Sequence, residues 1–474
     1  MTTALYFVLF YMLVQLAIGV WISRRIRTES DYLIAGRQLG YTLATFSIFA
    51  TWFGAETVVG SAGNAYERGV SLANAEPFGY GVCLLLMGVL FAVPLWRRRL
   101  TTLADLFRQR YSVTVERVAA VILVPSSILW AAAQVRAFGQ IISTASAGWD
   151  VGMAISVAAV FTIAYTMFGG LLVDAITDVI QGLVVIIGLA GVFTVVVLKM
   201  GGPAEVVGTL ASSRSITLVP HYDVNALHIA EDWAIPILGS VVATELVGRI
   251  IATRTATVAR NSSYLAGALY ILTGLIPLTI GLLARSLPLD VTHAEQVVPV
   301  VARALLPTIF YAAFVGAIIS AILSTVDSTL LTASALLSHN LIVPIARIDA
   351  ERTKVWIARV CVLLFGLIAY GLALSADGIY DLVEQASALG SSGALVVIVF
   401  ALFTRFGGAA AALATLVVGT LSYVMLSWAA LATPFLLSLA LSVMTYVVVG
   451  LAEPIVPRVP RAAGLFSRVS RTGG

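Results

Sequence analysis

Charge is scarce in this sequence. Only 11% of its 474 residues are Asp, Glu, Lys or Arg, while 60% are hydrophobic. So few charges cannot cover a water-soluble domain of this length, which excludes that class. They also exclude a nucleic-acid binder, which needs a continuous basic surface to meet phosphate. Cysteine is nearly missing. The two residues present, Cys83 and Cys361, both fall inside apolar runs, so no disulfide framework is expected. The four histidines (His221, His228, His293 and His339) sit in loops or at the ends of apolar runs, without metal-ligand spacing. HExxH, the nucleophile elbow, the Walker loop and CxxC are all absent. No enzyme is expected.

What fills the chain instead is apolar runs of membrane-crossing length. About twenty apolar residues span a bilayer. On that measure about thirteen spans are expected, at 4–22, 41–64, 76–96, 116–147, 151–168, 172–199, 232–252, 263–284, 306–338, 355–374, 379–404, 409–428 and 433–452. The class is an all-α polytopic membrane protein. Residues 4–22 resemble a signal peptide in hydropathy, but no positive charge precedes them and Arg24, Arg25 and Arg27 follow. They read as a retained span with the N-terminus outside.

Arginine sets the expected orientation, because loops on the cytoplasmic side carry the excess of Lys and Arg. With the N-terminus outside, the inner loops hold Arg24, Arg25, Arg27 and Arg37, then Arg97, Arg98, Arg99, Arg108 and Arg110. Further along they hold Arg254, Arg260, Arg347, Arg352, Lys354 and Arg405, and the tail adds Arg458, Arg461, Arg468 and Arg471. The outer loops hold only Arg68, Lys199, Arg214, Arg285 and Arg303. This places a multi-pass protein in the inner cell membrane with a cytoplasmic C-terminus. The short basic tail is suited to contact with anionic lipid.

Two groups of five spans follow one another. The expected division is 1–40, an extra helix and inner loop; 41–200, a first repeat; 201–231, the main external loop; 232–404, a second repeat; and 405–474, two extra helices and the tail. Each repeat opens on a helix interrupted by glycine and polar residues. In the first these are Gly54 and Glu56, and in the second Gly239, Thr244, Glu245 and Gly248. Odd-numbered groups in tandem have opposite topology, which is the inverted-repeat plan of many transporters.

Polar groups at bilayer depth mark the candidate site, because each must be compensated. Ala321, Ser324, Thr325, Ser328 and Thr332 share one helical face with Asp327 at its edge, a set of hard oxygen ligands suited to alkali cations. Read structurally, the same hydroxyls bond back to carbonyls or hold helices together. Asp174, Asp178 and Gln181 fall at i, i+4 and i+7 after Gly169 and Gly170; Asp174 reads as interfacial and Asp178 as buried. Glu56, Arg136, Glu245, Arg249 and Glu384 need partners, with Glu56 or Glu245 the expected mate of Arg136. Trp52, Tyr80 and Trp130 lie on three different early spans, where three converging rings could hold an organic cation. Their plainer reading is core packing.

Four stretches carry a resemblance. GRQLG at 36–40, FGAETVVGSAG at 53–63, TMFGGLLVDAITDVIQG at 166–182 and SAILSTVDSTLLTAS at 320–334 resemble the sodium:solute symporter family in the right order. The resemblance implies the leucine-transporter-like five-plus-five inverted repeat, with one extra helix in front and two behind. It implies Na+ as coupling ion, bound by the carbonyls of Ala50, Phe53 and Ala321 and the hydroxyls of Ser324 and Thr325. Some members have a second cation site, which maps to Asp178, Ser324 and Ser328, and Asp327 stands where those members carry a serine. ATW at 50–52, PFGYG at 77–81 and LWAAA at 129–133 look most like the choline and proline carrier branches, whose rings match Trp52, Tyr80 and Trp130. The fourth wall of that cage falls on Ala243, with Glu245 two residues on; Thr57 and Glu245 join the expected solute site.

The reading is a sodium-coupled importer of a small organic solute, an amine or amino acid. Its alternatives are a proton-coupled carrier of a monocarboxylate or another solute, a transporter-like sensor, and a channel. The partners expected are the solute and the bilayer, with no nucleic acid.

Overall fold

The computed structural model describes residues 3–24, 26–146, 149–212, 216–217, 225–289, 291, 293–376 and 378–453. Arg25, Arg214, His221 and the tail arginines lie outside these residues. Among the described residues there are helices and two isolated β-bridges, and no strand. That follows from the bilayer, where a chain must satisfy its backbone internally.

α1 (Thr3–Ser23) stands first. An interrupted helix follows: α2 (Tyr41–Trp52), a break at Phe53 and Gly54, a π-helical turn Glu56–Gly60, and α3 (Ser61–Arg68), with the two halves bent by 56°. A helical run Phe78–Arg97 leads to α4 (Val113–Ala145). α5 (Val151–Lys199) is 49 residues long and turns at Gly170, where φ is 70°. A Cβ at Gly170 would also meet the Tyr32 ring at 2.7 Å, so two spans join there through the one residue that fits. The second interruption runs from Ala226–Ala234 through the π turn Ile235–Gly239 to α6 (Thr244–Ile251). α7 (Ala256–Ala284), α8 (Thr308–Leu337) and the helix Glu351–Ser375 come next. α9 (Ile379–Ala388) and α10 (Ser391–Phe403) precede the last two helices, Ala409–Trp428 and Pro434–Ala452.

Among the described residues ten helices are long and apolar enough to cross a membrane, and the bent pair makes eleven. Dividing α5 at Gly170 and adding α1 brings the set to the thirteen expected from the sequence. Two details differ from expectation. The run 379–404 is two helices, because Gly390 takes a left-handed conformation at φ 75° and ends the first. The external connection 201–231 is partly helical, at Pro203–Ser212 and from Ala226 onward.

The site is positioned by close helix approach. α7 carries Gly267, Gly274 and Gly281 at seven-residue spacing, so they line one face. A Cβ at Gly281 would stand 2.2 Å from the Ala62 carbonyl oxygen, and one at Gly274 2.5 Å from Pro77. Such bare faces let helices touch backbone to backbone, the usual device where lipid supplies no hydrophobic drive between helices. Here the bare face seats the second half of the interrupted helix. α8 lies at the centre against α4 and α5, with 78% of its spanning window buried, whereas the last helix is only 28% buried. A helix that is apolar all round yet carries a hydroxyl stripe belongs in such a central place.

Candidate functional site

The break after Trp52 frees backbone oxygens. Phe53 leaves the helical region at φ −86°, ψ 70°. The Gly54 N–H turns back to the Trp52 carbonyl at 3.1 Å, so the Ala50 carbonyl loses its helical donor. The Ala55 N–H goes to Gln134 Oε1 at 3.1 Å, which releases the Thr51 carbonyl. α8 faces this gap. Thr325 donates to the Thr51 carbonyl at 3.0 Å and to the Ala321 carbonyl at 3.2 Å. Ser324 donates to Asp178 Oδ1, and Ser47 donates to Asp178 Oδ2 at 2.6 Å. Both hydroxyl oxygens keep lone pairs for a cation after giving their protons to the carboxylate. Thr325 therefore brings the Thr51 and Ala321 carbonyls together, and Ser324 beside it brings Asp178, which the resemblance had assigned to a second site. Every donor is oxygen, the set a hard monovalent cation takes.

Next to it lies a charge cluster. The Arg249 guanidinium donates to Asp174 and to Ser328, and its Nη1 reaches the Glu245 carbonyl at 3.2 Å. Ser328 also donates to Asp174 at 3.1 Å and meets Thr51 at 3.2 Å. Asp327, one residue before Ser328 on α8, is buried as well. Asp174 is 1% exposed and paired with arginine, which corrects the interfacial expectation. Arg249 thus pairs with Asp174 and Ser328, while Asp178 sits with Ser324.

The three aromatics of the sequence meet. The Trp52 and Trp130 rings stack at 5.1 Å with planes 7° apart, and Tyr80 stands 6.2 Å and 6.1 Å from them. Tyr80 shares a hydrogen bond of 3.1 Å with Ser387. Tyr270 on α7 is a fourth ring, edge-on to Tyr80 at 6.3 Å and to Phe53 at 5.5 Å. Ala243 supplies no fourth ring, but the space it leaves between Trp130, Ser240 and Ser387 is only about 10 Å³, room for a single water. Glu245 accepts from Ser127, one helical turn before Trp130. Thr57 donates to Glu76 at 2.7 Å and bonds the Tyr270 hydroxyl.

Glu56 has an amide partner, Gln134 Nε2 at 2.8 Å, and Arg136 reaches the Ala373 carbonyl at 2.9 Å, so the expected mating of Arg136 with Glu56 or Glu245 does not form. Ser47, Thr51, Gln134, Glu76 and Tyr270 were not singled out as site residues from their surroundings in the sequence. Ser47 and Thr51 had a usable signal, since i, i+4 hydroxyls lead straight into the break. Tyr270 and Glu76 had none, because their meeting depends on helices far apart in the chain.

Residues 32–419 match the sequence profile of the Sodium:solute symporter family. The chain is 28% identical over 402 residues to the High-affinity choline transporter 1 of Drosophila melanogaster, covering 81% of this chain and 64% of the relative. It is 28% identical over 414 residues to the High affinity choline transporter 1 of Homo sapiens, covering 79% and 68%. The chain thus spans about two thirds of these relatives' length. In backbone it resembles a substrate-bound, outward-open Na+-coupled sialic acid symporter with a TM-score of 0.83, at 18% identity over 94% of this chain and 96% of that one.

Proposed function

The chain belongs to the sodium:solute symporter family, and from that premise we propose that it imports a small organic amine by sodium-coupled symport. One observation carries the reading. A single broken turn presents the Thr51 carbonyl to Thr325, beside Ser324 and Asp178, on one side, and the Trp52 ring to Trp130 and Tyr80 on the other. An ion on the first side orders the turn and so places the ring. The solute on the second side holds the same turn and so strengthens the ion's hold. Such coupling is reciprocal.

Sodium is the coupling ion of the family, and its ligands here are the carbonyls of Ala50, Phe53 and Ala321 with Ser324, Thr325 and Asp178. Asp327 and Ser328 form a second cation site only if Arg249 is displaced from Ser328. The stacked indoles with Tyr80 form an apolar, electron-rich slab suited to an alkylated ammonium. The similarity to choline transporters supports an amine, and Ala243 in place of a fourth ring argues for a solute other than choline. The protein is multi-pass, with its N-terminus outside and its C-terminus in the cytoplasm of an inner-membrane setting. Residues 41–200 and 232–404 are the inverted repeats, opening on matching interrupted helices. Alternating access follows when one helical group rocks against the other about the two breaks.

In proteoliposomes, amine uptake is expected to accumulate the solute under an inward sodium gradient and to stop when the gradient is removed. Uptake indifferent to sodium would sink the coupling. Trp52→Ala is expected to lower amine affinity by at least tenfold in a thermal-shift titration, since it removes the stacked slab. Equal affinity in that variant, or saturable uptake of an anion alone, would end the amine reading.

A further inference from the structure

Glu56 and Glu76 have no part in the sodium site or the ring cluster, and each leaves one carboxylate oxygen unused. Glu56 is 3% exposed, and its Oε2 accepts from Gln134 while its Oε1 is buried without a hydrogen-bond partner. Glu76 Oε1 accepts from Thr57 at 2.7 Å and from Tyr270 at 2.6 Å, while its Oε2 is likewise buried and without a partner. Both residues line one small cavity of about 40 Å³ with Tyr80, Asp232 and Glu384. The lining holds four carboxylates and no basic residue. A wider mouth of about 280 Å³ shares Glu76, Asp232 and Glu384 and adds Glu67 and Arg68. Two buried carboxylates left with unmet oxygens are costly unless a cation meets them.

The nature of that cation follows from its neighbours. Tyr270 bonds Glu76 through its hydroxyl and touches Tyr80 with its ring, so one tyrosine separates the acidic cavity from the aromatic slab. Tyr80 lines the cavity and belongs to the slab. Two unpartnered oxygens are too few to complete the oxygen shell of an alkali ion. They suit an N–H-bearing ammonium, which brings three donors and no acceptor.

We propose that the carrier binds a dicationic solute, with one alkylated ammonium on the Trp52–Trp130 slab and a second, N–H-bearing ammonium between Glu56 and Glu76. This rests on the amine reading above and narrows it to short diamines and their alkylated relatives. The mouth that carries Asp232 and Glu384 draws such a dication inward more strongly than a monocation, since attraction scales with charge.

Purified full-length carrier in sodium buffer tests this by titration calorimetry with choline, 1,4-diaminobutane and 3-(dimethylamino)propylamine. At least one dication is expected to bind tenfold or more tighter than choline. The variant Glu56→Gln/Glu76→Gln should cut that dication-to-choline ratio at least tenfold. Ligand-free melting of each variant checks that it is folded, and the single Glu56→Gln replaces the double variant if that one is not. A ratio unchanged by the amides overturns the proposal. So does a changed sodium requirement with an unchanged ratio, because the pair would then hold an inorganic cation. If choline alone binds and Trp52→Ala abolishes it, the dication idea falls and the amine reading stands. If Trp52→Ala leaves all binding intact, or no amine binds the native carrier, both fall together.

Discussion

Arg249→Met will destabilise the folded carrier by about 3–5 kcal/mol, the range seen when one partner of a buried ion pair is removed. Arg249 is 1% exposed and serves Asp174, Ser328 and the Glu245 carbonyl at once. Its loss leaves the buried Asp174 without its counter-charge. Methionine fills the volume, so the loss is one of charge and hydrogen bonding rather than of packing. Adding Asp174→Asn to Arg249→Met should recover part of the stability, because the amide needs no counter-charge. Thermal unfolding of the four proteins in detergent forms the double-mutant cycle. A single variant as stable as the native protein would mean that the cluster holds its own balance without Arg249.

The second large effect falls on sodium. Ser324→Ala and Thr325→Ala together are expected to raise the sodium concentration for half-maximal uptake at least tenfold, about 1.4 kcal/mol. Each removes an oxygen that faces the interrupted helix, and Ser324→Ala also takes the donor from Asp178 Oδ1. Ser334→Ala is the control. Its hydroxyl lies further along α8 and bonds only back to the Leu331 carbonyl at 2.7 Å, so sodium dependence should hold there. The two site variants should stay folded, since Asp178 keeps the Ser47 hydroxyl on its Oδ2, and thermal melting checks this. Unchanged sodium dependence in the double variant would remove the assignment.

Much of the architecture was legible because the bilayer is a simple solvent. Span length, glycine beside carboxylate and the Arg bias of loops are local signals, and thirteen spans with two interruptions follow from them. The hydroxyl stripe of α8 was legible for the same reason, since i, i+3 and i+4 positions share a face whatever packs against them. The break at Gly390 was not, because nothing in an apolar run reveals that one glycine adopts a left-handed turn. Asp174 was misread for a related cause. Near the end of an apolar run its depth is ambiguous, and only Arg249, on another helix, pulls it inside.

The interrupted stretch 41–63 shows the division. By itself the sequence determined that a helix must break near Gly54, because a buried Glu56 among glycines and threonines cannot continue an ordinary apolar span. The tertiary structure alone decided who meets whom: Asp178 with Ser324, Glu56 with Gln134, and Glu76 with Thr57 and Tyr270. Hydrogen bonds and charge pairs act over a few ångströms in space, and these partners lie on different helices or across the connecting loop. Their spacing along the chain carries no trace of the contact.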